Sequence, residues 1–267
     1  MIVEREGTAL HVDVAGAGEP VVLLHGHALD LRVWDDLLPA LVGGGWRAVR
    51  YDQRGHGRSA SPPAGYRWGD HAADLAAVVD ATGGGPAHLV GLSKGGGIAL
   101  ELALRRPALV RSLTLIGPLV PDHPLSAELV GSFRELARRI RTDGVDSAMH
   151  EVWLCHPLLA SAYARPGARE RLEAMVLTFP AGEYLAATRD APDRSWNLVE
   201  RLAEVAAPTL VVVGARDVAD FRAMAATLAA GIPGARLEVV ADSGHLVPLE
   251  APAAAARLVL DLVAGPH

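Results

Sequence analysis

Apolar residues along the chain fall into two alternating arrangements. Short runs of Val, Leu and Ile at 8–14, 20–25, 46–51, 88–92, 112–116, 209–213 and 236–240 predict strands. The run Val21-Val22-Leu23-Leu24 has no polar side, the pattern of a strand buried on both faces. Between these runs, apolar positions recur every three or four residues near 33–42, 70–82, 95–106, 218–230 and 251–263, which predicts helices. Gly43-Gly44-Gly45, Pro62-Pro63, Gly83-Gly84-Gly85 and Ile232-Pro233-Gly234 mark the turns. Such alternation predicts an α/β fold, a mostly parallel central sheet flanked by helices.

One stretch breaks the rhythm. From Leu119 to Ala207 the pattern contains helical periodicities and proline breaks but no strand. Phe133, Leu136, Ala137 and Ile140 fall on one helical face, and two of the five tryptophans, Trp153 and Trp196, lie in the same stretch. The reading is a core domain formed by 1–118 and 208–267, with a helical cap inserted at 119–207. A small satellite core would produce the same pattern, and a cap needs one.

Composition narrows the function. The chain has 267 residues, 50% hydrophobic and 21% charged, with a net charge of −6. That is the balance of a globular protein, and it lacks the basic stripe that binding a nucleic-acid backbone requires. A single cysteine, Cys155, excludes an intrachain disulfide and a Cys-rich metal site. No apolar run reaches the roughly 20 residues of a membrane span, and Met1-Ile2-Val3-Glu4-Arg5-Glu6 is charged where a signal peptide would be apolar. A cytoplasmic location with no membrane partner is expected. Of the 25 basic residues only one, Lys94, is a lysine.

Lys94 lies in the most informative segment, His88-Leu89-Val90-Gly91-Leu92-Ser93-Lys94-Gly95-Gly96-Gly97. It reads strand, sharp turn, helix, with Gly91-x-Ser93-x-Gly95 at the turn. A serine held there exposes its hydroxyl and crowds the positions two before and two after it, so both must lack a side chain. The helix that follows favours negative charge at its start. A nucleophilic serine needs a base, and the base needs a group to orient it. Asp217 follows the strand at 209–213 and His245 follows the strand at 236–240. In a parallel sheet these positions share one edge with Ser93.

Competing site types find less support. His25-x-His27 with Asp30 lacks a further ligand at metal-binding spacing. No G-x-G-x-x-G follows a strand, and the one lysine follows serine rather than the glycine of a phosphate loop. Asp220 is a rival to Asp217 as the orienting acid, while Asp242 reads as a turn residue. His123, His150 and His156 read as surface or satellite-core histidines of the cap.

These residues resemble the α/β-hydrolase fold superfamily over nearly the whole chain, and within it the esterase and 3-oxoadipate enol-lactonase-like group. The matching motifs are His25-Gly26-His27, Asp52-Gln53-Arg54-Gly55-His56-Gly57-Arg58-Ser59, the turn at 91–95, Gly214-x-x-Asp217 and Gly244-His245. The resemblance implies a Ser93, His245, Asp217 triad and an oxyanion hole made by the backbone N–H groups of His27 and Lys94. It also implies a helical cap, structural roles for His25, Arg54 and His56, and no cofactor or metal. Lysine after the nucleophile departs from the family pattern, where Met, Gln or Leu is common.

The expected activity is hydrolysis of a small carboxylic ester or lactone through an acyl-enzyme. The same triad also serves C–C bond hydrolases, cyclases and thioesterases, and the scaffold serves some small-molecule binding proteins. The Lys94 ammonium has three readings: an ion pair with Asp30 or Asp52, a pocket contact to a substrate carboxylate, or a Ser-Lys catalytic pair. Lys94, His27, Trp153 and Trp196 are the expected pocket residues.

Overall fold

The structure, a computed structural model, describes residues 1–187 and 197–265. Its strands are β1 (Ile2–Arg5), β2 (Thr8–Ala15), β3 (Pro20–Leu24), β4 (Arg47–Tyr51), β5 (Ala87–Leu92), β6 (Val110–Ile116), β7 (Thr209–Gly214) and β8 (Arg236–Val240). They form one sheet in the order β1-β2-β4-β3-β5-β6-β7-β8. β2 runs antiparallel to both of its neighbours, and the strands from β4 to β8 run parallel. This is the α/β-hydrolase fold.

The sequence pattern did not predict β1. At four residues it is too short to show an alternation, and its pairing depends on the turn that follows. Arg5 pairs with Thr8, leaving Glu6-Gly7 as a two-residue turn with φ of 48° and 77°. Two left-handed residues in succession twist a hairpin the way its strands twist.

The helices are α1 (Leu38–Gly43), α2 (Trp68–Thr82), α3 (Lys94–Arg105), α4 (Ala127–Asp143), α5 (Val145–Ala148), α6 (Pro157–Tyr163), α7 (Pro166–Val176), α8 (Gly182–Leu185), α9 (Ala219–Gly231), α10 (Val247–Glu250) and α11 (Pro252–Val263). The single helix expected at 33–42 is instead a 3-10 turn, Leu31–Trp34, followed by α1. Pro39 explains the break: it fits the first turn of a helix, where no N–H is needed, and not the middle.

From β3 the chain steps one way to β4, then crosses back to β5 on the other side. Right-handed crossovers therefore place α1 on one face and α2 and α3 on the other. α2 packs against α3, and α1 against α11. The reversal opens a crevice between the carboxyl ends of β3 and β5, the usual ligand position in open α/β sheets. None of the described helices is long and apolar enough to cross a membrane.

Between β6 and β7, helices α4 to α8 and the 3-10 turn Val199–Glu204 replace strands. α4 buries Leu129, Leu136 and Ile140, while Phe133 packs half-buried against Trp153 and His156. His156 joins α6 to α4. Its Nδ1 accepts the Leu158 N–H at 3.2 Å, capping α6, and its Nε2–H donates to Ser132 Oγ at 2.8 Å. Of the other two histidines in this stretch, His123 is bonded to Thr227 Oγ1 and His150 is an exposed side chain against Asp146 O.

Accepting the Leu158 N–H at Nδ1 needs a neutral ring. Burial, with smaller repulsion from His245 and His27, lowers its pKa from 6.5 to about 4. Between those values the unfolded chain binds a proton that the folded chain refuses. This contribution to stability is complete above pH 6.5 and is lost as pH falls toward 4. The urea midpoint should fall across that window. His156→Asn, which keeps a capping oxygen but does not titrate, should show a shallower fall; an unchanged slope would contradict this account.

Candidate active site

β5 ends at Leu92 and α3 begins at Lys94, so Ser93 makes the whole turn. Its backbone has φ 53° and ψ −116°, a conformation that side-chain-bearing residues seldom adopt. Hydrogen bonds hold it there. Ser93 N–H donates to Ile116 O at 2.9 Å, and Ser93 O accepts from Gly96 N–H at 2.9 Å and Leu119 N–H at 3.0 Å. A side chain at Gly91 would strike the Gly95 backbone, and one at Gly95 would strike the Leu24 and His25 carbonyls. Both glycines are required by close approach, not by left-handed backbone.

The structure brings Asp217 and His245 together at the ends of β7 and β8. His245 Nδ1 lies 2.9 Å from Asp217 Oδ2, and Asp217 Oδ1 accepts the Val218 N–H at 2.8 Å. Gly117 (φ 46°) lies beneath the pair, where a Cβ would stand 3.1 Å from Nδ1 and 3.3 Å from Oδ2. The Phe221 ring meets the imidazole edge-on at 4.3 Å. The rival acid has another partner: half-buried Asp220 accepts from Ser126 N–H and Oγ, and exposed Asp242 pairs with Arg216.

Sequence reasoning missed Glu250. This buried carboxylate accepts the Gly244 N–H at 2.8 Å and the Leu246 N–H at 3.0 Å, one on each side of His245. It also accepts from Ser161 Oγ of α6, and Arg165 Nε lies 3.7 Å away. The signal available was a glutamate five residues past the histidine, within reach of N–H groups that the start of a helix leaves unpaired.

On the other side of Ser93, the turn after β3 is fixed by His25. Gln53 N–H donates to its Nε2 at 3.0 Å, so Nδ1 carries the proton and donates to Gly26 O at 2.8 Å. Arg54 is bound by Asp74 through two hydrogen bonds of 2.6 Å. The His56 ring packs among those of His25, His27 and Phe179, tilted against His25 and Phe179 and edge-on to His27. His25, His56 and His71 all have lowered pKa values, chiefly through burial and further through the charge of Lys94.

The partner expected for Lys94 is corrected here. Asp30 is occupied by the Arg32 guanidinium and N–H, and Asp52 by the N–H groups of Leu31 and Arg58. The Lys94 ammonium reaches Glu183 Oε2 at 2.6 Å, 89 positions away on α8. Glu183 Oε1 lies 3.1 Å from His27 Nδ1, and His27 Nε2 lies 2.9 Å from the Tyr184 hydroxyl. An ionised Glu183 accepts Nδ1–H, which leaves Nε2 to accept from Tyr184 O–H. Burial alone would raise the Glu183 pKa, but Lys94 and then His27 outweigh it and hold the carboxyl well below its usual range. No local pattern could have disclosed this pairing.

Ser93, Lys94 and His245 lie at the floor of a cavity of about 390 Å³. Its walls are largely apolar and come mainly from the insertion between β6 and β7, with Phe133, Trp153 and Leu158 prominent. Of the expected pocket residues, His27, Lys94 and Trp153 line it, and Trp196 lies outside the described residues. Among the described residues, no three His, Cys, Asp or Glu side chains gather as a metal-binding group.

The sequence profile of the alpha/beta hydrolase fold family matches residues 19–252. A 2-hydroxymuconate semialdehyde hydrolase from Pseudomonas sp. (strain CF600) is 33% identical over 97% of this chain and 91% of its own length. The esterase EaEST from Exiguobacterium antarcticum superposes with a TM-score of 0.82 at 25% identity, covering 99% of this chain and 98% of its own. The enol-lactonase of Burkholderia xenovorans LB400 shares the fold at a TM-score of 0.83 and 24% identity, over 99% of this chain and 100% of its own. The chain belongs to the α/β-hydrolase fold family, among relatives that include hydrolases of esters and of other small molecules.

Proposed function

We propose that the chain is a serine hydrolase that cleaves a carboxylic ester or lactone. The observation that carries this reading is a serine forced into a left-handed turn on the floor of an apolar cavity, beside a histidine anchored to a buried aspartate. Ser93 Oγ attacks the acyl carbon while His245 Nε2 takes its proton; Asp217 holds the tautomer that leaves Nε2 free to do so. The N–H groups of Lys94, the first residue of α3, and of His27 receive the oxyanion, at about 3 kcal/mol per donor. His245 delivers its proton to the leaving alkoxide, and water then releases the acyl group by the same route. Helices between 119 and 207 act as a lid that shapes the acyl site and excludes solvent. The reaction so written uses no metal or cofactor.

A second reading has a specific observation in its favour. The relative at 33% identity is a 2-hydroxymuconate semialdehyde hydrolase by name, which supports a reading in which the same serine and histidine serve hydrolysis of a carbon–carbon bond. Ser93 would still label with a fluorophosphonate, but simple esters would turn over poorly. Absence of labelling would favour a binding protein on the hydrolase scaffold.

Ser93→Ala should reduce turnover of an aryl ester by about 1,000-fold or more while leaving the thermal unfolding transition cooperative. Mass spectrometry of the wild type after fluorophosphonate treatment should locate the adduct on Ser93. Retained turnover in the variant would refute the assignment. Glu250→Gln removes one acceptor and leaves an N–H beside His245 unpaired. It should lower kcat by about tenfold or more with a smaller change in KM, since a displaced base slows chemistry more than binding. A change confined to KM would show that Glu250 does not position His245.

A further inference from the structure

Lys94 and Glu183 both line the cavity, and each neutralises the other. The position of Glu183 is set by its backbone as much as by its side chain. At Gly182, the residue before it, a Cβ would stand 2.6 Å from the Tyr66 hydroxyl, 2.8 Å from Gly55 Cα and 2.8 Å from Ser61 Oγ. α8 is therefore pressed against the loop that follows β4. Tyr184, the residue after it, is bonded to His27 at 2.9 Å. With both neighbours fastened to the core, the carboxylate is delivered to the ammonium and cannot easily move away.

The other lining groups supply no permanent positive charge. Among the described residues that line the cavity, Lys94 is the only lysine or arginine, and the His71 pKa is lowered by burial and by Lys94 itself. The walls are largely apolar, leucine, phenylalanine and tryptophan among them, with Tyr66, Tyr184 and the histidines His27, His71 and His245 as the remaining polar side chains beside Ser93, Lys94 and Glu183. A carboxylate entering with a substrate would lose its hydration to these walls and would meet the Glu183 charge beside the one cation that could pair with it. An uncharged acyl group pays neither cost.

We infer that Glu183 is the residue that sets charge selectivity: by occupying the Lys94 ammonium, it makes the acyl pocket accept uncharged acyl groups and reject carboxylate-bearing ones. This rests on the serine hydrolase reading for its kinetic form. It reverses the simplest expectation from a lysine beside the nucleophile, which is a pocket for anions. It also assigns Glu183 a defined specificity effect, since Gln in its place keeps the shape and the His27 contact while releasing the ammonium charge.

The test compares two substrates of one shape, the mono-nitrophenyl ester of adipic acid and the same ester with its free carboxylate converted to a primary amide. Wild type should favour the amide by about tenfold or more in kcat/KM, the size expected of one charged hydrogen bond. Glu183→Gln should shift that ratio toward the carboxylate by about tenfold. Lys94→Met, which leaves Glu183 without its cation, should shift it no further toward the carboxylate than wild type. An unchanged ratio in Glu183→Gln, or a wild type that prefers the carboxylate, would overturn the inference.

Competitive binding of hexanoate and hexanamide to the wild-type protein supplies a readout that needs no turnover and no variant. Hexanamide should bind more tightly, and equal or reversed affinities would count against the inference. Fluorophosphonate labelling separates the two failures. Intact labelling with no charge discrimination sinks the role of Glu183 alone. Absent labelling sinks the serine hydrolase reading, while the hexanoate and hexanamide comparison still decides the charge rule.

Discussion

The carboxyl edge of the sheet is organised by one close approach, that of α3 to the ends of β3 and β5. Gly95 sits against the Leu24 and His25 carbonyls with no space for a side chain, and Gly91 sits against Gly95 in the same way. This contact leaves Ser93 no conformation but the left-handed one. The strain is held by the hydrogen bonds of Ser93 to Ile116, Gly96 and Leu119, so the sheet, α3 and the start of the insertion all contribute. Loosening any of the three would let the serine relax away from the cavity floor.

Around that fixed point the surrounding loops follow a common scheme, in which a buried side chain satisfies the N–H groups of a turn. Asp52 serves Leu31 and Arg58, His25 serves Gln53, and Glu250 serves Gly244 and Leu246. Each is a polar group taken out of water and kept there by several partners, so each loop is more sharply defined than apolar packing would make it. The cavity above is different in kind. Its walls are largely apolar side chains, Phe133, Trp153 and Leu158 among them, which serve no turn N–H group.

How much of this could be read from the sequence follows from the range of each interaction. The turn at Ser93, and Asp217 and His245 at strand ends, are local arrangements: a strand, a turn residue and a helix adjacent in sequence. β1 was missed because its identity resides in its pairing with β2, and the helix expected at 33–42 divided at Pro39. Glu183 was beyond sequence reasoning. Its partner lies 89 positions away, and nothing in Ala181-Gly182-Glu183-Tyr184 marks a carboxylate turned inward. The candidates weighed for Lys94, Asp30 and Asp52, were near it in the expected topology, but both are consumed by closer donors.

The burial of the one lysine has a practical consequence for the chemistry of the protein's exterior. With Lys94 about 7% exposed and paired, every basic side chain on the surface is a guanidinium or an imidazole. Guanidinium groups hold their protons far into alkaline solution, so the surface keeps its positive charge where lysine-rich proteins lose theirs. Reagents that acylate or cross-link side-chain amines would find none on the folded surface. Their reaction with Lys94, told apart by peptide mass from any at the Met1 α-amine, would instead report the opening of the cavity, making a commonplace protein-labelling chemistry into a sensor for a buried site.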